Sequence, residues 1–186
     1  MIDSVYDALP YLPLVMLVSV AAWTDLKSRR IPNWLTLTVA LTGLAQCVTP
    51  IAVSTPKQAG LGLAVGFLLP FLLYAVGGRG AGDVKLLAGI GAWLGPLPVM
   101  WVFAAAAVIS LIVALVQSAS QRKLGALVRN TSVMLVNVLN VRRLGAAHVI
   151  DTGQRYRSID KPMPNAVMTL IATVGVIVWV ASKRGG

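Results

Sequence analysis

The chain has 186 residues, of which 57% are hydrophobic and only 12% are charged, and its mean hydropathy is +0.79. This composition lies well outside that of soluble domains and indicates an integral membrane protein, with a single domain over residues 1–186. The formal charge of +10 comes from short basic segments between apolar spans, which favours anionic lipid headgroups over nucleic acid as the partner.

The predicted helices follow the apolar segments of the chain. A membrane-crossing helix needs about 20 apolar residues, and the sequence offers such segments at 8–24, 33–53, 59–77, 97–118 and 164–182. Residues 84–94 are also apolar but extend only about 16 Å as a helix, so we expect them to pack inside the protein. The expected fold is all-α, a polytopic membrane protein with about six transmembrane helices. The single cysteine, Cys47, excludes an intrachain disulfide.

The distribution of Lys and Arg predicts how these helices are oriented. If the N-terminus is outside and the chain crosses six times, only Lys57, Lys183 and Arg184 lie on the outer side, and thirteen basic residues lie on the other. The positive-inside rule then places the loops at 24–33, 78–83 and 119–163 in the cytoplasm.

The loop at 119–163 is basic but not uniformly polar. Between Arg122 and Leu144, polar residues such as Arg129, Asn130 and Asn137 recur at helical spacing opposite an apolar face. The pattern predicts an amphipathic interfacial helix on the cytoplasmic leaflet. A seventh span is the alternative, but it would place these polar side chains against lipid.

All six acidic residues are aspartates, and two of them have unusual positions in this topology. Asp25 closes the first span and Asp83 opens the short helix, both on the cytoplasmic side, where acids beside membrane spans mark functional sites. Taken singly, each has a structural explanation: Asp83 as the N-cap of its helix, and Asp25 as a surface ion pair with Lys27 or Arg29. Their common location on one face of the membrane weakens both explanations. The other four aspartates are expected to be solvated: Asp3, Asp7, Asp151 and Asp160.

Two carboxylates and a glycine cluster together suggest a chemistry. Carboxylates held within a few ångströms share one proton, so the ionised member can activate water while the neutral member hydrogen-bonds to a peptide carbonyl. Gly77, Gly78, Gly80 and Gly82 leave the backbone before Asp83 uncovered, and an unwound substrate strand can bind there. A hinge between spans is the alternative for Gly77 and Gly78. The glycines match neither the P-loop nor the dinucleotide-binding pattern.

Two motifs carry a resemblance to a known family. WTDLKSRRIPN at Trp23–Asn33 and GAGDVKL at Gly80–Leu86 resemble the type IV prepilin peptidases, membrane aspartic proteases of the GxGD class. The resemblance covers roughly the first 120 residues, and MPN at 163–165 is similar to the start of the family's last helix.

The resemblance implies a function and a set of site residues. Asp25 and Asp83 would be the catalytic pair, with Gly80, Gly82 and Lys85 as substrate-binding residues or active-site backbone. The substrate would be a prepilin, a Flp-type pilin or pseudopilin, whose basic leader is cut at the cytoplasmic face of the bacterial inner membrane. No metal or other cofactor is implied. The chain lacks the paired cysteines of the bifunctional members and is similar to the short peptidases of tight-adherence pilus systems.

Two other functions remain open from the residues alone. A small proton- or cation-coupled transporter could use the two aspartates, although the second and third predicted spans offer few further polar residues, chiefly Thr38, Thr42 and Gln46. A non-catalytic assembly subunit would tolerate the loss of both acids. Asn33 is expected to cap the second helix.

Overall fold

The computed structural model describes residues 9–49, 52–75, 80–122 and 163–184, with isolated positions between 125 and 140. Within the four ranges the chain forms six α-helices and no β-strand, which confirms the all-α prediction. They are α1 (Leu12–Ser28), α2 (Asn33–Ala45), α3 (Pro56–Ala75), α4 (Ala81–Leu94), α5 (Pro96–Ser120) and α6 (Asn165–Arg184). Short 3-10 turns at Leu9–Tyr11 and Gln46–Val48 precede α1 and follow α2.

Each predicted apolar segment corresponds to one helix, but the second prediction was too long. The segment expected to continue to residue 53 leaves the α-helix after Ala45. The reason lies in the Gln46 side chain, which donates to Ser54 Oγ at 2.8 Å and accepts the Val53 N–H at 2.8 Å. These two hydrogen bonds fold the chain back instead of letting the helix continue.

Among the described residues, three helical segments are long and apolar enough to cross a membrane: Leu9–Ser28, Pro96–Ser120 and Asn165–Lys183. Helical segments Asn33–Val48 and Pro56–Leu72 are apolar but shorter. The α5 surface is rich in exposed large apolar side chains, Leu111, Ile112 and Val116 among them, and such a surface is suited to lipid rather than water. The chain is a membrane protein, while the number of crossings and their orientation stay predictions.

The short helix α4 lies at the centre of the described helices, as predicted, with eleven of its fourteen residues buried. Glycines let neighbouring backbones approach it: Gly62 of α3 lies against Gly91 of α4, and Gly89 lies against the Val39 side chain of α2. Small residues serve the same purpose at many membrane helix interfaces. The Trp93 indole N–H donates to the Val39 carbonyl at 3.1 Å, which further ties α4 to α2.

The last helix, α6, packs against α1 and α5. Its buried residues Ala172, Val176 and Ile177 belong to the same apolar cluster as Val18 and Ala21 of α1. This packing sets the first turn of α6 beside the last turn of α1 and the first turn of α4. The predicted amphipathic helix at 122–144 lies largely outside the described residues and remains a prediction.

Candidate functional site

Asp25 lies in the last turn of α1, inside the helix rather than at its end. Hydropathy placed the end of the span at residue 24, but the helix continues to Ser28, where the hydroxyl donates to the Thr24 carbonyl at 2.7 Å. The helix then closes with Arg29 in the left-handed region (φ 54°), where its N–H donates to the Asp25 carbonyl at 2.8 Å. Asp25 is only 8% exposed, so the solvated surface pair considered from the sequence is wrong.

Asp83 is the third residue of α4 and is also only 8% exposed. Gly80 is the N-cap, with an extended backbone (φ −79°, ψ 147°), and its carbonyl accepts the Asp83 N–H at 3.1 Å. The N-cap explanation for Asp83 is therefore wrong, because the chain enters the helix three residues earlier. At Gly82 a side chain would meet Ile31, since a Cβ there would lie 3.3 Å from the Ile31 Cβ.

The amino end of α6 joins the two aspartates. The Asn165 side chain donates from Nδ2 to Asp83 Oδ2 at 3.0 Å. The next residue, Ala166, donates its backbone N–H to Asp25 Oδ2 at 3.1 Å. Because the two donors belong to consecutive residues, carboxylates that are 58 positions apart in sequence converge on one turn of helix.

Asn165 was not among the site residues predicted from the sequence. The available signal was an asparagine at the start of an apolar helix, directly after Pro164, on the predicted cytoplasmic side that carries both acids. That signal is weak, because Asn is ordinary near helix starts. Its contact with Asp83 depends on how α6 packs against α1.

Lys85 does not point into the carboxylate pair but forms a link to α2. Its Nζ donates to Asn33 Oδ1 at 2.9 Å, on an exposed part of the surface. Asn33 is the first residue of α2 and Pro32 is the N-cap, so the expectation that Asn33 caps the helix is wrong. The Lys85 ammonium nevertheless lies only two residues from Asp83 along α4.

The predicted site residues therefore fall into three groups. Asp25 and Asp83 are buried and brought together, Gly80 and Lys85 lie exposed beside them, and Gly82 packs against the loop after α1. Gly77 and Gly78 lie outside the described residues. The part of the chain that the structure describes contains no group of three or more His, Cys, Asp or Glu side chains.

Two buried carboxylates that accept N–H donors from consecutive residues of one helix are suited to proton transfer. When two such groups meet, one proton is shared between them, so one member can act as base while the other donates a hydrogen bond. The two carboxyl groups can therefore activate a water and polarise a carbonyl without help from another titratable side chain.

The family model of the type IV leader peptidase family matches residues 12–115, more than half of the chain. The match includes both aspartates but ends before α6, which supplies the two N–H donors. No curated protein and no solved structure matches the chain significantly.

Proposed function

Because the chain belongs to the type IV leader peptidase family, we propose that it is an aspartic endopeptidase with Asp25 and Asp83 as its catalytic pair. The observation that carries the proposal is the convergence of both carboxylates on Asn165 and Ala166. Burial and position exclude a surface ion pair for Asp25 and an N-cap role for Asp83.

In the proposed mechanism the two aspartates divide the work between them. The ionised carboxylate takes a proton from water, and the resulting hydroxide attacks the scissile carbonyl carbon. The neutral carboxyl group hydrogen-bonds to the carbonyl oxygen and stabilises the negative charge that develops there. The carboxyl group that took the proton from water then delivers it to the leaving amine nitrogen, and the tetrahedral intermediate collapses with cleavage of the C–N bond.

We further propose that the substrate is a prepilin, cut at the cytoplasmic face of the bacterial inner membrane. Asp25 lies in the last turn of α1 and Asp83 in the first turn of α4, beside the loops at 24–33 and 78–83 that the distribution of basic residues predicts to be cytoplasmic. Gly80 is exposed and extended, so its backbone can pair with an unwound strand of substrate next to Asp83. The basic residues of the predicted cytoplasmic loops are proposed to bind anionic lipid headgroups.

The transporter alternative has less support. The polar side chains that could have continued a path through α2 are engaged locally: Thr38 donates to the Trp34 carbonyl at 2.8 Å, and Thr42 donates to the Thr38 carbonyl at 2.7 Å. Gln46 is held by Ser54. Family membership also favours a peptidase over a transporter.

The test is co-expression of the full chain with candidate prepilins from the same genome, chosen as short proteins with a basic leader, a glycine and then an apolar helix. Cleavage is read as a mobility shift and by N-terminal sequencing of the product. We expect Asp25→Asn and Asp83→Asn each to lower the cleavage rate by more than about 100-fold, with unchanged amounts of protein in the membrane.

Asp151→Asn is the matched control, since it makes the same change at an aspartate predicted to be solvated and outside the described residues. It should leave cleavage unchanged. Full cleavage by either Asp25→Asn or Asp83→Asn would refute the assignment of that residue as catalytic.

A further inference from the structure

The first turn of α6 contacts both members of the proposed catalytic pair, and one of its contacts uses a side chain. Asn165 Nδ2 lies 3.0 Å from Asp83 Oδ2, and the Ala166 N–H lies 3.1 Å from Asp25 Oδ2. We propose that Asn165 is a positioning residue that fixes the Asp83 carboxylate relative to Asp25. The inference rests on the proposed aspartic peptidase function.

A positioning role requires that α6 itself be held firmly, and its buried face meets that condition. Ala166 and Thr173 are fully buried, and Met168 and Ala172 are nearly so. The Ser110 hydroxyl of α5 also contacts Met168 Sδ at 3.0 Å. The amino end of α6 therefore cannot shift without disturbing packing against α1 and α5, so its donors present a fixed geometry to both carboxylates.

The chemistry of an asparagine side chain suits this role. A carboxylate oxygen accepts hydrogen bonds, and the amide N–H of Asn165 supplies one without adding a charge to the pair. A lysine or arginine would instead add a positive charge beside carboxylates that need to share a proton.

The backbone donor to Asp25 and the side-chain donor to Asp83 differ in one practical respect. The Ala166 N–H is part of the main chain, whereas the Asn165 donor can be removed by substitution. Asn165→Ala removes the donor, and Asn165→Asp keeps the shape but presents an acceptor to Asp83. An aspartate in the first turn of a helix is favourable for the helix itself. If Asn165 only stabilised the start of α6, Asn165→Asp would be milder than Asn165→Ala, whereas a positioning role makes Asn165→Asp the more harmful substitution.

The experiment measures kcat, KM and the apparent Tm of the full-length protein in detergent, with the prepilin identified by co-expression as the probe. We expect Asn165→Ala to lower kcat by about 10- to 100-fold with little change in KM, because the hydrogen bond that orients Asp83 is lost. Asn165→Asp should lower kcat further, because it removes the donor and also places a second acceptor against Asp83.

Thr173→Val is the control on the same helix. Its hydroxyl is buried and donates to the Thr169 carbonyl at 2.7 Å, two turns from the aspartates. This substitution perturbs α6 without touching the carboxylates, so kcat should stay within about twofold of the wild type.

A purely structural role for Asn165 predicts that the isosteric Asn165→Asp is the milder variant. Asn165→Asp with wild-type kcat would therefore overturn the inference, even if Asn165→Ala failed to accumulate. If Asp25→Asn and Asp83→Asn are inactive while both Asn165 variants are fully active, only the positioning role fails. Full activity in the two Asp→Asn variants would refute the proposed function itself.

Discussion

The closest backbone approach around α4 predicts that a single added methyl group destabilises the protein. Gly62 of α3 lies so near α4 that a Cβ at this position would stand 2.8 Å from the carbonyl carbons of both Gly91 and Gly95, besides overlapping the Gly91 oxygen. Carbon atoms at rest are about 3.5–4.0 Å apart, so Gly62→Ala forces the two helices apart by roughly 1 Å. Backbone atoms cannot rotate away as a flexible side chain can.

A matched substitution lies two residues earlier in the same helix. A Cβ at Gly60 would meet nothing within 4 Å. Both Gly→Ala changes gain about 1 kcal/mol of helix propensity, so the difference between the two variants isolates the cost of overpacking, which is about 1–3 kcal/mol. For a chain of this length each 1 kcal/mol changes Tm by about 2–4 °C.

The assay is thermal unfolding of the purified protein in detergent, followed by tryptophan fluorescence. We expect Gly60→Ala to raise the apparent Tm by about 2–4 °C and Gly62→Ala to lie about 2–12 °C below Gly60→Ala. Equal Tm values for the two variants would show that α3 and α4 do not approach as closely as described, and the reasoning about the glycine interface would be wrong.

Two further predictions concern polar contacts away from the carboxylates. Gln46→Leu removes both hydrogen bonds that join the end of α2 to Val53 and Ser54, so we expect an apparent Tm lower by about 2–12 °C. Cleavage by Gln46→Leu should be unchanged at temperatures below its Tm, because the site is about 20 Å away along α2. Lys85→Met should raise KM by roughly 5-fold, the equivalent of one ordinary hydrogen bond to substrate. Asn33→Ala removes the other half of the Lys85 contact and should leave KM unchanged. Equal KM values for Lys85→Met and Asn33→Ala would contradict a substrate contact by Lys85.

Much of the helical layout follows from the sequence by itself. Long apolar segments are unfavourable in water, and within lipid their backbone groups must be paired inside a helix. The distribution of apolar residues along the chain therefore predicts helices at nearly the right positions. The short segment at 84–94 was also predicted to be a packed helix, since it is apolar but too short to cross a membrane. Errors arose at the ends, where side chains such as Gln46 and Ser28, rather than hydropathy, decide where a helix stops.

The two aspartates could be singled out from the sequence because an acid beside an apolar helix is costly and therefore conspicuous. The two motifs that contain them also carry the family resemblance. The sequence could not decide whether Asp83 was an N-cap, because that depends on whether the helix begins at Ala81 or three residues later, at Val84. The backbone conformation at Gly80 settles the start of the helix.

Only the tertiary structure brought Asn165 and Ala166 to the carboxylates. No local pattern relates residue 165 to residues 25 and 83. Their contacts depend on the packing of α6 against α1, and on the last turn of α1 lying near the first turn of α4. Helix formation is governed by neighbours within a few residues, so a sequence determines it locally. A site assembled from three helix ends is governed by side-chain packing between distant segments, and that packing exists only in the folded chain.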